Sequence, residues 1–248
     1  MQEPGLGETG VVARGQLAGL AAEVSACRIC QLQPLGPALP HAPRPVARLS
    51  DTARILVAGQ APGTRVHASG QPFTDPSGDR LRQWMGIGAE VFYDPARLAI
   101  LPMGLCFPGL DARGGDLPPR RECRAAWHDR LMAAMPQIDL ILAIGQYAQA
   151  YHLAGHPAAP LAAPFANPGA SFGASPAAGR GLPTRAGSDS LTERVRRWRE
   201  ILARTGEAGP AVLVLPHPSW RNTAWLKRNP WFEAEVLPEL RQRVASLI

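Results

Sequence analysis

Four short apolar runs punctuate the chain: Ile55-Leu56-Val57-Ala58, Leu98-Ala99-Ile100-Leu101, Asp139 through Ile144 (apolar after its first residue) and Ala211-Val212-Leu213-Val214-Leu215. Unbroken apolar runs, rather than alternating ones, predict strands buried on both faces of a parallel sheet. Segments of helical period lie between them. Ser77 is placed to cap a segment carrying Leu81, Trp84 and Met85. Pro118-Pro119 precede a helix with Cys123, Trp127 and Leu131 four apart on one face. Ser190 and Glu193 have capping-box spacing ahead of Val195, Trp198 and Leu202. Asn229-Pro230 opens a last helix through Phe232, Val236, Leu240 and Val244, kinked or restarted at Pro238. Alternation of strands and helices means an α/β layered fold with right-handed crossovers.

The stretch from about Gly155 to Ser188 breaks this rhythm. It is Ala, Pro, Gly and Ser with few large apolar residues, and it reads as a flexible insertion in one domain spanning 1–248. At 248 residues, 46% hydrophobic and 19% charged, the chain can bury a sizeable core, which excludes global disorder. No apolar run reaches the roughly 18 residues of a membrane span, and the first residues lack the pattern of a secretory signal. A cytoplasmic monomer is the expectation. The net charge of +6 permits an anionic partner such as nucleic acid. Arginine is the default polar residue here, however, and Lys227 is the only lysine. The helix with Arg194, Arg196, Arg197 and Arg199 therefore reads as a solvated face.

In an open parallel sheet, ligands bind beyond the carboxyl ends of the strands. The four runs lead into Gly59-Gln60-Ala61-Pro62-Gly63, Met103-Gly104-Leu105-Cys106, Gly145-Gln146 and Pro216-His217-Pro218-Ser219. These segments are expected to converge on one rim. The four cysteines are a C-x2-C pair, Cys27 and Cys30, then Cys106 and Cys123 with sixteen residues between them. In a cytosolic protein such a set points to a metal site before two disulfides, with zinc and a [4Fe-4S] cluster equal on ligand count.

Two motifs carry a family resemblance: Gly59-Gln60-Ala61-Pro62-Gly63 followed by Gly70-Gln71-Pro72-Phe73-Thr74-Asp75-Pro76-Ser77-Gly78, and His217-Pro218-Ser219-Trp220-Arg221-Asn222. With the cysteine spacing, they resemble the uracil-DNA glycosylase superfamily, in particular its iron–sulfur bacterial and archaeal branches, over about 20–150 and 190–245. The resemblance implies a three-layer α/β/α fold around a central four-stranded, mostly parallel sheet. It also implies a [4Fe-4S] cluster, with zinc as the alternative, and DNA carrying uracil or another deaminated base as partner. Such an enzyme must draw its target nucleotide out of the stack.

By that resemblance Phe73 stacks on the base, and Gly59, Ala61, Pro62 and Gly63 shape the pocket. His217 donates to the anion developing on the leaving base, which is where a donor lowers the barrier most. Asp75 stabilises the cationic sugar and orients water; its Phe73-Thr74-Asp75 setting looks like the family's F-T-G-D stretch with one residue fewer. Asp79 could face the site instead. Gln60 can orient water or read a base edge, but its neutral amide cannot serve as a general base. Pro102 stands where the most similar branch carries a base-reading asparagine. Recognition then falls to backbone groups, Gln60, Gln146 or Asn222, or the preferred base is not uracil. Trp220 or Arg221 could wedge into the stack, with Ser219 on the DNA beside them, and Arg221, Lys227 and Arg228 would meet phosphates. The expected activity is a monofunctional glycosylase, because no lysine nucleophile is well placed. A binder of uracil-containing or abasic DNA and a hypoxanthine or xanthine glycosylase are the alternatives.

Overall fold

The computed structural model describes residues 8–154 and 190–248. The insertion expected at 155–188 lies outside the described residues. Four strands form one sheet: β1 (Ile55–Ala58), β2 (Leu98–Ile100), β3 (Leu140–Ile144) and β4 (Ala211–Leu215). Their order is β2-β1-β3-β4, and every pair is parallel. Ile55, Leu56, Val57 and Ala58 are fully buried, as are Leu142, Ala143 and Ile144. Successive strand residues point to opposite faces, so both faces of the sheet are covered and the layered α/β architecture follows. The second and third runs are shorter as strands than as apolar sequence. Leu101 leaves the sheet after its N–H bonds Val57, and Asp139 stands just ahead of β3, paired with Arg54.

The chain runs from β1 outward to β2, then crosses back to β3 on the other side of β1. The carboxyl ends of β1 and β3 therefore flank the switch point of the sheet, where a crevice opens. The helix after β1 motif residues, Pro76–Met85, is capped by Asp75 and not by Ser77. Pro76 suits the first helical position, having no N–H to leave unpaired. The cap thus lies two residues earlier than hydrophobic period alone predicts, and Ser77 instead donates its hydroxyl to Asp75 Oδ1 at 2.6 Å. The Ser190–Glu193 capping box is present in both of its bonds.

The helix bearing Cys123 is one continuous rod of three pieces, Arg121–Cys123, a π-turn at Arg124–His128 and Asp129–Ala133. Cys123, Trp127 and Leu131 are all buried on it. A second π-turn, Phe232–Val236, precedes Leu237–Leu247. Pro238 lies in the first turn of that last segment, and its missing N–H accounts for a widened turn just ahead. No helix among the described residues is long and apolar enough to cross a membrane.

Candidate active site

A cleft of about 560 Å³, open solvent at its mouth included, lies at the carboxyl ends of β1, β2 and β4. Its walls include Gly59 through Gly63, Phe73, Asp75, Ser77, Pro102, Asp116 and His217. The first-strand and fourth-strand motifs, about 150 residues apart in sequence, thus share one cavity.

The loop after β1 is laced to the loop after β2. Met103 N–H donates to Gly59 O at 3.0 Å, and Gly104 N–H to Gln60 O at 2.8 Å. The Gln60 side-chain amide makes no hydrogen bond among the described residues and lines the cleft. Phe73 is the one non-glycine residue with positive φ (56°) among the described residues. A phenylalanine held in that region is under backbone strain of about 1–3 kcal/mol. Three contacts hold it there. Its carbonyl accepts from the Tyr93 hydroxyl at 3.0 Å and from Arg82 at 3.3 Å. The third is close packing against Gly78, where a Cβ would sit 1.9 Å from the Phe73 oxygen. The ring meets Phe92 edge-on at 5.8 Å and lies over Gly59, so one face of the cleft is aromatic.

His217 leaves β4 through Pro216 and is only partly exposed. Burial pushes its pKa below the ordinary imidazole value, while the negative charges of Asp75 and Asp116 oppose the shift. The backbone N–H of Ser219 donates to its Nδ1 at 3.2 Å. An imidazole that accepts at Nδ1 carries its proton on Nε2. The result is a neutral ring with Nε2–H as its free donor. Asn222 donates to the His217 carbonyl at 2.8 Å, and Arg80 donates to the Ser219 carbonyl at 3.0 Å. Both brace the loop that orients the ring.

Asp75 splits its two oxygens. Oδ1 receives Ser77 Oγ and Gly78 N, and Oδ2 has no hydrogen bond among the described residues. Asp79 points elsewhere: its side chain is 77% exposed and pairs with Arg82. The structure does not bring Gln146 or Asn222 into the cleft walls. Gln146 is exposed in the first turn of Gly145–Leu153. Trp220, 74% exposed, and Arg221, whose guanidinium lies over the Trp220 ring at 5.8 Å, stand on the loop just beyond His217. Lys227 and Arg228 are exposed in the last turn of Thr223–Arg228.

Asp116 was not legible as a site residue. It lies on a small hairpin in the loop after β2, pinned by the Leu110–Asp116 bridge and by Asp111 Oδ1, which accepts the N–H groups of Arg113 and Gly115 at 2.8 Å each. Asp111 and the Gly114-Gly115 pair are turn signals, and they mark the hairpin in the sequence. That the hairpin reaches the cleft is a tertiary fact.

The four cysteines gather on the far side of the loop after β2. Cys30 and Cys123 share a hydrogen bond, which lowers the Cys30 pKa to about 7 and raises that of Cys123. Burial first, then the charge of Cys30, pushes Cys106 up to about 12. Cys27 accepts from the Trp127 indole at 3.4 Å, and Cys123 from the Leu105 N–H at 3.4 Å. None of the four is in a disulfide. As they stand, no three His, Cys, Asp or Glu among the described residues have metal-holding separations. The donor set is four soft thiols from three segments, a chemistry that suits zinc or an iron–sulfur cluster.

A family model matches residues 47–241, which takes in both cleft motifs, Cys106 and Cys123 and leaves Cys27 and Cys30 outside. That match covers well over half the chain, so the protein belongs to the Uracil DNA glycosylase superfamily, a superfamily of DNA glycosylases.

Proposed function

We propose that this protein is a monofunctional DNA glycosylase that hydrolyses the N-glycosidic bond of a deaminated base, uracil first among them, and leaves an abasic site. The observation that carries the reading is the shared cleft of Phe73 and His217, with the glycine-bounded loop Gly59–Gly63 between them. A base drawn out of the helix would stack on the Phe73 ring. As the bond to the sugar lengthens, negative charge gathers on the base, and Nε2–H of neutral His217 donates to it. A neutral donor matches an anion that forms only in the transition state. Asp75 Oδ2 supplies negative charge toward the cationic sugar. Lys227 is the only lysine and is not among the cleft walls, which favours simple hydrolysis over a lyase step.

DNA outside the cleft would meet Trp220 and Arg221 at the mouth, with Ser219 behind them and Lys227 and Arg228 on phosphates. Such contacts make binding fall with salt. The four thiols would hold a [4Fe-4S] cluster, or zinc, as a tie between the N-terminal segment, the loop after β2 and the Arg121–Cys123 turn. A cluster bound there would serve structure rather than the reaction. Iron and sulfide content with absorbance near 400 nm would identify the cluster, and zinc content the alternative.

A panel of oligonucleotides carrying uracil, hypoxanthine or xanthine, scored by alkali cleavage, tests the function. Uracil turnover that is lost in His217→Ala and Asp75→Ala supports it. Tight binding without cleavage would make the protein a damage binder instead. Preference for a purine would reassign the base; Pro102 in the cleft wall, where an amide would read uracil, is the observation that favours such a reassignment.

A further inference from the structure

The loop after β1 carries no carboxylate: Gln60 and Ala61 are both neutral. Yet hydrolysis at the sugar needs a group that accepts a proton from water. Asp75 offers only Oδ2 for that task, because its Oδ1 is engaged by Ser77 and Gly78 as a helix cap. Asp116 is differently placed. Its carboxylate has no hydrogen bond or ion pair among the described residues, lines the same cleft as His217, and lies 3.6 Å from where a Cβ on Gly63 would be. The hairpin that presents it is braced by its own turn bonds and continues into Pro118-Pro119, where the Pro119 Cβ lies 3.0 Å from where a Cβ on Gly104 would be. It is thus an exposed acid at the cleft, presented by a hydrogen-bonded turn and accessible to water.

We infer that Asp116, delivered from the loop after β2, is the catalytic carboxylate that activates the attacking water, supplying to the Gly59–Gly63 loop the acid its own sequence lacks. This rests on the glycosylase reading above. The water oxygen bonds to the sugar C1′ as the C1′–N bond breaks, its electron pair leaving with the base. Asp116 takes one water proton and later releases it to solvent. The departing base anion, held by His217 Nε2–H, takes its proton from solvent. Asp75 and His217 are the titratable groups sharing the cleft. Asp111 and Arg113 lie on the hairpin itself, and Arg221 reaches Asp111 electrostatically.

The test is single-turnover cleavage of a uracil oligonucleotide, or of whichever base the panel shows is cleaved, by Asp116→Asn and Asp116→Ala, beside equilibrium binding of an abasic-site oligonucleotide. The expected result is a rate loss of about 10²-fold or more in both variants, with binding equal or slightly tighter because a charge that repels phosphate is gone, and with unchanged thermal melting. A rate within threefold of the natural chain in Asp116→Asn overturns the assignment while leaving the glycosylase reading intact, as does a rate loss matched by an equal loss of binding. A natural chain that cleaves no base in the panel removes the glycosylase reading and this assignment with it.

Discussion

The cleft and the cysteine corner are built on the two sides of one loop, 101–120, and they treat polar groups in opposite ways. In the corner the charged groups are tied into one network, with Arg120 Nε left unpaired. Buried Glu122 accepts the Leu35 N–H at 2.9 Å and Arg120 at 2.6 Å, and Arg120 reaches on to the Pro37 carbonyl at 2.8 Å. In the cleft, Gln60, Asp116, Asp75 Oδ2 and His217 Nε2 have no hydrogen-bond partner among the described residues. These cleft groups are half-buried or, for Asp116, exposed, so water reaches them and they carry no burial penalty. The bonded corner holds structure, whereas the solvated polar groups of the cleft are open to a ligand. His128 touches both regions, lying 3.0 Å from the Pro102 carbonyl of the cleft wall and 3.2 Å from the Cys123 carbonyl.

The contrast can be broken by substitution. Replacing His217 with Ala should give the largest effect, about 10²–10³ in single-turnover rate, with melting changed little by comparison. A variant that cleaves at the natural rate would show the free Nε2–H to be idle. Gly78→Ala comes next. A methyl group there collides with the Phe73 carbonyl, and overpacking of this kind costs about 1–3 kcal/mol, read as a lower denaturant midpoint together with lost cleavage. Natural stability in Gly78→Ala would mean that the Phe73 backbone does not need its unusual conformation.

Acidity should separate the regions further. The folded-state pKa of His217 is depressed by burial, so the unfolded chain binds the proton more readily. The stability tied to its neutral form is full above the ordinary value of about 6.5 and is lost as pH falls below it toward the depressed folded value. Cleavage should fail lower still, once the folded ring itself takes a proton and Nδ1 can no longer accept from Ser219. Histidine chemical shifts followed by NMR from pH 7.5 to 5 measure this directly, and a His217 that titrates at or above 6.5 would contradict it.

Arg80→Ala should act through position alone. With the Ser219 carbonyl released, the rate is expected to drop about tenfold, or ~1.4 kcal/mol, with the His217 ring losing its single tautomer. An unchanged tautomer pattern in the nitrogen spectrum would assign Arg80 to DNA contact instead. Ser190→Ala, in the capping box remote from the cleft, supplies the smallest effect: about 1 kcal/mol of stability and no change in rate. A rate change there would mean that global stability, and not cleft geometry, limits turnover.

Much of the fold was legible because strands buried on both faces must be apolar at every position, a pattern that survives in one dimension. The capping box was legible for the same local reason. The Asp75 cap was misread by two residues, since Pro76 favours a first helical position that hydrophobic period alone does not register. Phe73 and His217 were readable from motif residues at strand ends. Gln146 was not placed well, because Gly145 at positive φ (77°) begins a helix at once and leaves that amide exposed. Asp116 left no trace beyond a turn signal, since its distance from Gly63 and His217 depends on how a loop folds back over the sheet.

Hydrophobic period, cap chemistry and motif residues thus determined by themselves that this chain is an α/β protein with its motif residues at the carboxyl ends of its strands. The parallel order β2-β1-β3-β4, the pairing of Phe73 with His217 across one cleft, and the arrival of a second carboxylate from another loop were decided only in three dimensions. The reason is physical: local patterns encode which surfaces each segment must bury, whereas the meeting of distant side chains is set by the packing that satisfies all those burials at once.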